Sequence, residues 1–347
     1  MERAIGGYPP LELNCEGALP FPDALPINLG RTGLELIMRH RHYRQVRVPA
    51  YCCPVVFETL QRCGVRYETY QLGPNFEPIA DPSSPDHRAA DPLRDLAPDE
   101  AILYVNYFGV KNGGMTRLAE RFGTRLIADL TPAFFQRPPG DCDGFSSARK
   151  FLGVPDGGFL FGSGVTAWGE SLPRQSATGL CGSLLMRAED PDDTSPGYVA
   201  FQAQESAMKH FPLARMSHLT EKILRSVSFP TIAERRRRHF RILHERLGTM
   251  NTLAISFDPG LLADAPDHGD GRTIGTDAVP QYYPLLPAGN GVGAKWKKRL
   301  CEERIFVPTL WPGLESPLTA NLVCLPVSQH LTETDLERII KNVKNLK

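Results

Sequence analysis

LIADLTPAFFQRPPGDCDGFSSARKFLGVPDGG, residues 126–158, contains the most informative pattern in this chain of 347 residues. It opens with a short apolar run that leads to Asp129, and Lys150 follows 21 residues later (150 − 129). A Gly/Pro-rich turn and the pair Gly157-Gly158 complete it. An acid and a lysine that each end a strand-like run suit the two ends of one aromatic cofactor, pyridoxal phosphate (PLP). The lysine amine would form a Schiff base with the cofactor aldehyde, and the carboxylate would keep the pyridine nitrogen protonated.

A structural interpretation of the same two residues stays open at this point. An aspartate at the end of a strand is also a common cap of a turn or helix. Lysine is a frequent residue in any chain. The order of the surrounding elements favours the cofactor site, as described below.

Composition places the chain among ordinary globular proteins with room for one large and one smaller domain. Hydrophobic residues make up 41% and charged residues 22%, and 39 Lys+Arg balance 39 Asp+Glu. A chain without net charge predicts neither a nucleic-acid partner nor a membrane surface. The eight cysteines are scattered without a CxxC pair, which favours reduced thiols over disulfides or a metal site. No signal-peptide pattern opens the sequence, so we expect a cytoplasmic location.

Strands and helices alternate along the first two thirds of the chain, which predicts an α/β protein with a mostly parallel sheet. Such sheets bind ligands at the carboxyl ends of their strands. Asp129 and Lys150 both belong at that edge. The predicted strands are 46–50, 65–72, 101–107, 126–128 and 159–161, and the predicted helices begin at 34 and span 54–64, 116–122, 197–225 with a break near 212, and 231–247.

The last hundred residues predict a smaller α+β unit. Threonine at 332 and aspartate at 335 form a capping signal for its last helix. We therefore expect an extended lead-in over residues 1–26, a large PLP-binding domain over 27–229 and a small domain over 230–347. The predicted strands of the small domain are 281–286, 305–307 and 322–325, and its helices are 295–303 and 332–344.

Two further motifs admit both a functional and a structural interpretation. Residues 27–33 (INLGRTG) form a glycine-containing loop before a helix, whose free backbone amides suit a phosphate, although the glycines also suit a plain turn. Residues 235–238 (RRRR) could suggest RNA binding. We favour a solvated face of a helix that packs through Ile232, Phe240 and Leu243.

Taken together, these motifs resemble the fold-type I PLP enzymes, and most closely the sugar aminotransferases of DegT/StrS type. The resemblance implies a large α/β domain with a mixed, mostly parallel, seven-stranded-type sheet flanked by helices, and a smaller α+β C-terminal domain. The segments that carry it are IGGY (5–8), LGRTGLELI (29–37), VPAYCCPVVFETLQRCGV (48–65), YVNYFG (104–109), LIADLTPA (126–133), SSARKFLGVPDGG (146–158), ERRRRHFRILHERL (234–247), IFVPTLWP (305–312) and LVCLPVSQHLTETDLERI (322–339).

The resemblance implies a role for each matching cofactor residue. Lys150 would be the Schiff-base lysine and would later carry the proton between the substrate α-carbon and the cofactor. Asp129 would pair with the pyridinium nitrogen. The remaining residues implied to bind the cofactor are Arg31 and Thr32 at its phosphate, Ser147 or its neighbour Ser146 at the same phosphate, and Tyr51 and Cys53 near the position from which an aromatic ring often stacks on the cofactor.

The implied activity is an amino transfer from glutamate or glutamine to a keto substrate, in particular a nucleotide-linked keto-sugar, by a homodimer. Tyr8, Arg174 and Trp311 are the candidates for substrate contacts. Three positions depart from the family pattern: Pro132 replaces a usual glutamine, Cys53 lies near the position of a frequent ring-stacking aromatic, and Asn106 replaces a frequent histidine. A PLP-dependent lyase or dehydratase and a non-catalytic relative that serves as a binding or regulatory subunit are therefore the alternatives.

Overall fold

The computed structural model describes residues 7–80, 91–111, 113–262, 278–314 and 316–346. Its centre is an eight-stranded sheet, and a second sheet of two strands follows near the C-terminus. The strands are β1 (Leu25–Ile27), β2 (Gln45–Pro49), β3 (Arg66–Leu72), β4 (Pro78–Ile79), β5 (Glu100–Val105), β6 (Leu126–Leu130), β7 (Asp143–Ser146), β8 (Gly158–Phe161), β9 (Tyr282–Leu285) and β10 (Val323–Pro326).

Helices cover the central sheet and build most of the C-terminal part. They are α1 (Gly30–Arg41), α2 (Pro54–Arg62), α3 (Gly113–Phe122), α4 (Val165–Gly169), α5 (Gly182–Glu189), α6 (Ser195–Met208), α7 (His218–Arg225), α8 (Phe229–Leu247), α9 (Pro259–Leu262), α10 (Val292–Glu302), α11 (Pro317–Asn321) and α12 (Glu333–Lys344). Within the described ranges, none of these helices is long and apolar enough to span a membrane.

The strand order of the central sheet is β1-β8-β7-β6-β5-β2-β3-β4. The five strands from β7 to β3 in this order run parallel, while β8, β1 and β4 pair antiparallel at the two edges. Every residue of β5 and β6 is buried, as expected for parallel strands that are covered on both faces. The predicted mixed, mostly parallel α/β fold is confirmed, with eight strands where seven were expected.

Close packing of α1 on the sheet places the first turn of that helix at the carboxyl edge. A Cβ on Gly33 would come within 2.6 Å of the Phe145 Cβ in β7, so a larger residue would push the helix away. Ile27 of β1 and the buried helix residues Leu34 and Ile37 belong to the same hydrophobic cluster as Phe145. The glycine of the predicted loop thus serves the approach of helix to sheet.

The C-terminal layer, defined here as α8, α10, α12 and the β9–β10 pair, packs against the central part of the chain. Its helix α12 begins with the predicted capping box, in which Thr332 Oγ1 accepts from Asp335 N and Asp335 Oδ2 accepts from Thr332 N. The helix α8 contains the four arginines at 235–238. Arg238 pairs with Glu333 of α12, and Arg235 donates to the Leu331 carbonyl at 3.2 Å.

Two local predictions differ from the structure. Residues 305–307 were expected to form a strand, but they run as irregular chain after α10, so that prediction is wrong. The run is only three residues long, and the β9–β10 sheet contains no third strand within the described residues. The helices α4 and α5 were not predicted, because residues 163–189 show no sustained apolar period.

Candidate active site

The structure brings Asp129 and Lys150 together at the carboxyl edge of the sheet. Asp129 lies in β6, between β5 and β7, and Lys150 ends a 3-10 turn (Ala148–Lys150) that follows β7. Thr131 links the two side chains. The Lys150 Nζ donates to Thr131 Oγ1 at 3.0 Å, and the Thr131 backbone N–H donates to Asp129 Oδ1 at 2.8 Å.

The negative charge of Asp129 is only partly compensated by the groups around it. It is 3% exposed, and burial raises the pKa of its carboxyl group above the ordinary value. The Lys150 cation and the two hydrogen bonds of Thr131 act in the opposite direction but do not outweigh burial. A protonated ring nitrogen beside the carboxylate would supply the missing positive charge.

The N-terminus of α1 faces this acid–lysine pair. A Cβ on Gly30 would meet Thr131 Cγ2 at 3.0 Å, so the first turn of α1 lies directly against the linking threonine. The N-cap residue, Leu29, has no side-chain group that could accept from the first amides of the helix. Thr32 is 1% exposed and donates its hydroxyl proton to Asn28 Oδ1 at 2.6 Å. The Thr32 N–H donates to the Leu29 carbonyl at 3.0 Å, so the earlier amides of this turn, those of Gly30 and Arg31, are the groups suited to an anion.

Asn28 ties the start of α1 to the turn that carries Lys150. Its carbonyl accepts from the Gly157 N–H, and the Gly157 carbonyl accepts from Ala148 N at 3.0 Å. Gly157 has φ +113°, and a Cβ there would lie 2.8 Å from Thr220 Cγ2. The first glycine of the Gly157-Gly158 pair therefore allows a left-handed backbone that holds the lysine turn beside the helix.

Two arginines concentrate positive charge beside the same helix terminus. Burial and then the cation of Arg62 lower the pKa of Arg31, and burial and then the cation of Arg31 lower the pKa of Arg149 to about 10. Arg149 pairs with Glu205 of α6, while its buried Nε has no hydrogen-bond partner in the described part of the chain. Mutual repulsion of two half-buried guanidinium groups would be relieved by an anion such as a phosphate.

The two candidate serines have different environments. Ser146 is fully buried, and its Oγ accepts from the Phe159 N–H at 3.2 Å, which joins β7 to β8. Ser147 is 8% exposed and directly precedes the turn that ends at Lys150. The Ser146 hydroxyl oxygen thus already has a backbone partner, and the role of either serine at a phosphate stays a prediction.

The turn between β2 and α2 supplies three residues near the acid. The Tyr51 ring is stacked with Tyr107 at 6.2 Å, and burial raises the pKa of its hydroxyl. Cys53 is the half-buried N-cap of α2. Between them, Cys52 is fully buried, and burial followed by the negative charge of Asp129 raises the pKa of its thiol well above the ordinary value. Sequence reasoning named the two neighbours and missed Cys52, because nothing in the pattern indicates which side chain of a turn points inward.

The three candidate substrate residues lie in separate places. The Trp311 ring meets the Tyr51 ring edge-on at 4.6 Å, which brings it into the aromatic cluster next to the β2–α2 turn. Arg174 donates to Glu221 Oε1 at 2.7 Å and to the Met216 carbonyl at 3.1 Å. Tyr8 is 92% exposed on the lead-in segment.

Two of the departures from the family pattern, Asn106 and Pro132, are neighbours in space. The Asn106 N–H donates to the Asp129 carbonyl at 3.1 Å, and a Cβ on Gly109 would come within 2.9 Å of the Pro132 carbonyl. The Asn106 amide donates to Gln136, and its buried Oδ1 has no partner within the described residues. The polar groups at this corner of the site are therefore incompletely paired.

These residues fit PLP by their chemistry. A buried carboxylate suits the ring nitrogen, an exposed lysine amine suits the aldehyde, and a helix N-terminus with two arginines suits the phosphate. Within the described residues, no group of three or more His, Cys, Asp and Glu side chains could hold a metal ion.

Comparison with known proteins supports the fold. DesV from S. venezuelae, solved in complex with a ketimine intermediate, matches at a TM-score of 0.60 with 17% identity over 95% of this chain and 85% of that chain. A DegT DnrJ EryC1 StrS aminotransferase from Brucella abortus matches at 0.58, with 16% identity over 93% and 85%. The putative sugar aminotransferase Spr1654 from Streptococcus pneumoniae, in its PMP form, matches at 0.58 with 13% identity over 94% and 86%.

No protein-family model and no curated protein matches the sequence. The similarity is therefore one of three-dimensional structure, and it extends over almost the whole of this chain and most of each relative. The chain has the fold of the DegT/StrS-type sugar aminotransferases, as its sequence motifs predict.

Proposed function

We propose that this protein is a PLP-dependent aminotransferase. The observation that carries the proposal is the hydrogen-bonded series from Lys150 through Thr131 to Asp129, set against the N-terminus of α1. An amine and a buried acid linked in this way, beside a helix terminus suited to an anion, are the groups that PLP needs, and this supports the proposal.

When bound, PLP supplies an electron-accepting ring that permits loss of a proton from the substrate α-carbon. The chain supplies the remaining chemistry. The Lys150 amine holds the cofactor and then moves the proton at the substrate α-carbon, and the Asp129 carboxylate keeps the ring nitrogen protonated. The first amides of α1, including that of Arg31, and the cations of Arg31 and Arg149 bind the phosphate, with Thr32 and Ser147 or Ser146 beside them.

We further propose glutamate or glutamine as the amino donor and a nucleotide-linked keto-sugar as the acceptor. The likeness to solved sugar aminotransferases supports this choice. Trp311 would line the substrate side of the pocket, with Tyr8 and Arg174 as further contacts. We propose a cytoplasmic protein with a boundary between a large and a small domain near residue 230, where α8 begins.

A homodimer completes the proposal. The helices α5 and α6 present large apolar side chains to solvent: Leu185 at 63%, Met186 at 47%, Tyr198 at 58%, Val199 at 67% and Phe201 at 43% exposure. An apolar surface of this kind supports burial against a second copy of the chain. Sedimentation of the purified protein measures the oligomeric state directly.

The test is an absorbance spectrum of the purified protein with PLP, before and after borohydride, with mass analysis of the reduced protein. Wild type should gain the Schiff-base band, and reduction should attach the cofactor to Lys150. Lys150→Ala should lose the band, whereas the exposed Lys222→Ala control on α7 should keep it. A wild-type protein that takes up no PLP would overturn the proposal.

Incubation of the PLP-loaded protein with glutamate or glutamine separates amino transfer from the alternatives. An aminotransferase converts the cofactor to its amine form in a single turnover. A protein that binds PLP and yet shows no conversion with any amino donor would instead be a lyase or dehydratase of the same fold.

A further inference from the structure

The arginine at position 236 joins the C-terminal layer to the lysine turn. Arg236 is 3% exposed, although it belongs to the basic run of α8. Its Nε donates to Gln329 Oε1 at 2.8 Å, and its Nη1 donates to the Pro280 and Gln281 carbonyls at 3.1 and 3.3 Å. Its Nη2 donates to the Phe151 carbonyl at 3.1 Å. One buried guanidinium thus connects three separate segments.

Phe151, the residue directly after Lys150, is held at two points. Its carbonyl accepts from Arg236 Nη2 and also from Gln329 Nε2 at 3.0 Å. Its ring lies 4.7 Å from the Arg236 guanidinium carbon, in a cation–π contact. The residue directly after Lys150 is therefore held through both its carbonyl and its ring.

A second branch from the same arginine reaches the acid. Arg236 holds the Gln281 carbonyl, and the Gln281 N–H donates to the Phe108 carbonyl at 2.8 Å. Phe108 belongs to the turn after β5 that begins with Asn106, whose N–H donates to the Asp129 carbonyl at 3.1 Å. The two halves of the candidate site are therefore connected through one side chain.

This guanidinium is costly to bury. The partners that the described residues give it are three backbone carbonyls and one amide, without a carboxylate. Burial accordingly lowers the pKa of Arg236 to about 10. Apolar residues of similar volume are commonly at least as stable as a buried charge, so stability alone does not explain an arginine here. Its rigid fork offers directed donors to several acceptors, which sets geometry.

We propose that Arg236, together with Gln329, is a positioning residue that sets the Lys150 amine against Asp129. It acts through the Phe151 peptide and makes no contact with the cofactor itself. The inference rests on the proposed PLP function, in which the distance between amine and acid decides whether one ring is held at both ends.

The sharpest test is Gln329→Glu. A carboxylate still accepts from Arg236 Nε and pairs with its charge, so the layer stays attached, but an oxygen then faces the Phe151 carbonyl in place of a donor. Arg236→Lys is the second variant, because it keeps the charge and loses the fork. Arg238→Lys is the control, since Arg238 lies on the same helix and pairs with Glu333.

Three measurements follow on wild type and each variant, alongside thermal unfolding. The first is the rate of Lys150 acetylation in the cofactor-free protein, measured by mass spectrometry. The second is the pH midpoint of the visible band of the PLP-loaded protein, and the third is kcat and KM with the amino donor. In Gln329→Glu and Arg236→Lys we expect a changed acetylation rate, a shifted midpoint and a kcat lower by about 10²-fold, with KM little changed. Arg238→Lys should match wild type.

A purely structural role predicts the opposite pattern. Gln329→Glu would then unfold at the same or a higher temperature and keep the wild-type acetylation rate, band midpoint and kcat, and this result would overturn the inference. Activity that falls only in proportion to the unfolded fraction would overturn it as well. If wild type binds no PLP, the proposed function fails first, which is a distinct outcome.

Discussion

Near the amino ends of the central strands, Arg47 of β2 and Glu100 of β5 form a buried ion pair at 2.7 Å, with exposures of 3% and 7% for the two side chains. The Arg47 guanidinium also donates to the carbonyls of residues 92, 94 and 95. At the carboxyl ends of the same sheet, Asp129 and Lys150 share only the small residue Thr131. The donors and acceptors of the first pair have partners within the chain, whereas those of the second pair are only partly hydrogen-bonded.

The difference separates a structural pair from a functional one. Full hydrogen bonding of a buried pair makes each partner necessary for the other and leaves nothing for a ligand. At the carboxyl edge, Asp129 keeps a raised pKa, Lys150 is exposed, and the Asn106 Oδ1 has no partner within the described residues. Incomplete pairing at the edge where parallel sheets bind ligands supports the proposed cofactor site.

Removing the exposed amine should produce the largest effect of all. Lys150→Ala should lower transaminase activity by at least about 10³-fold, because the amine both holds the cofactor and moves the proton. Its free energy of unfolding without cofactor should stay within about 0.5 kcal/mol of wild type, as for other exposed positions. Steady-state kinetics and urea unfolding check the two parts. Retained activity would contradict the assignment of Lys150.

The fully bonded pair should show the reverse behaviour. Arg47→Met should lower the free energy of unfolding by up to about 3–5 kcal/mol, because Glu100 would stay buried with the partly exposed Arg94, at 3.3 Å, as its remaining cation among the described residues. The double variant Arg47→Met/Glu100→Gln should recover part of that loss. The PLP band per folded molecule should be unchanged in both. A loss below about 1 kcal/mol, as for an exposed pair, would remove the contrast on which the comparison rests.

Asp129→Asn should separate stability from function at one position. Burial raises the carboxyl pKa above its ordinary 3.8, so the stabilising contribution of the protonated acid is present below that value and is lost as the pH rises through the folded-state pKa. Above this window the neutral asparagine avoids the cost of the buried charge. The cofactor-free variant should therefore unfold at a higher temperature than wild type at pH 7.

The same variant should lose activity, because asparagine cannot keep the ring nitrogen protonated. Turnover should fall by about 10²-fold while PLP remains bound. Thermal scans of the cofactor-free protein from pH 3 to 8, together with kinetics at pH 7, check both halves. A variant less stable than wild type at pH 7 would mean that the carboxylate is better compensated than its burial indicates.

Much of the fold was predictable because its signals are local. The buried strands β5 and β6 are apolar runs, and α12 begins at its predicted capping box. The strand expected at residues 305–307 failed because three apolar residues without a pairing partner do not specify a strand. The helix α5 was not predicted, because its apolar residues Leu185 and Met186 are exposed and so do not follow the helical period of a buried face.

The two charged residues of the candidate site were predictable from the sequence, but the residues that link them were not. The sequence pattern pointed to Asp129 and Lys150, whose separation suits consecutive strands of a parallel sheet. Thr131 was missed, because a hydroxyl that links two charges looks like any turn residue. Arg236 was missed despite a usable signal: it follows Ile232 by four residues (236 − 232) and so lies on the buried face of α8, within a run assigned as a whole to solvent.

Thr131→Val tests the link between the two charges with the smallest change. Valine keeps the branched shape that packs on Gly30, and its backbone N–H still donates to Asp129 Oδ1. The hydroxyl, which accepts from Lys150 Nζ and also bonds the Asp129 carboxyl group, is lost. One hydrogen bond of this kind contributes about 0.5–1.5 kcal/mol, so PLP affinity or kcat should fall by about 2-fold to 10-fold.

The unfolding temperature of Thr131→Val should fall by no more than a few degrees, because water replaces the partner of the exposed Lys150 while the buried Asp129 loses one hydrogen bond. Thr131→Ser is the matched control, because it restores the hydroxyl without the methyl group and should recover the wild-type affinity. PLP titration followed by the visible band measures both variants. An unchanged affinity in Thr131→Val would mean that the Thr131 hydroxyl bonds Lys150 only in the cofactor-free protein. The backbone of β6 alone would then set the positions of Asp129 and Lys150.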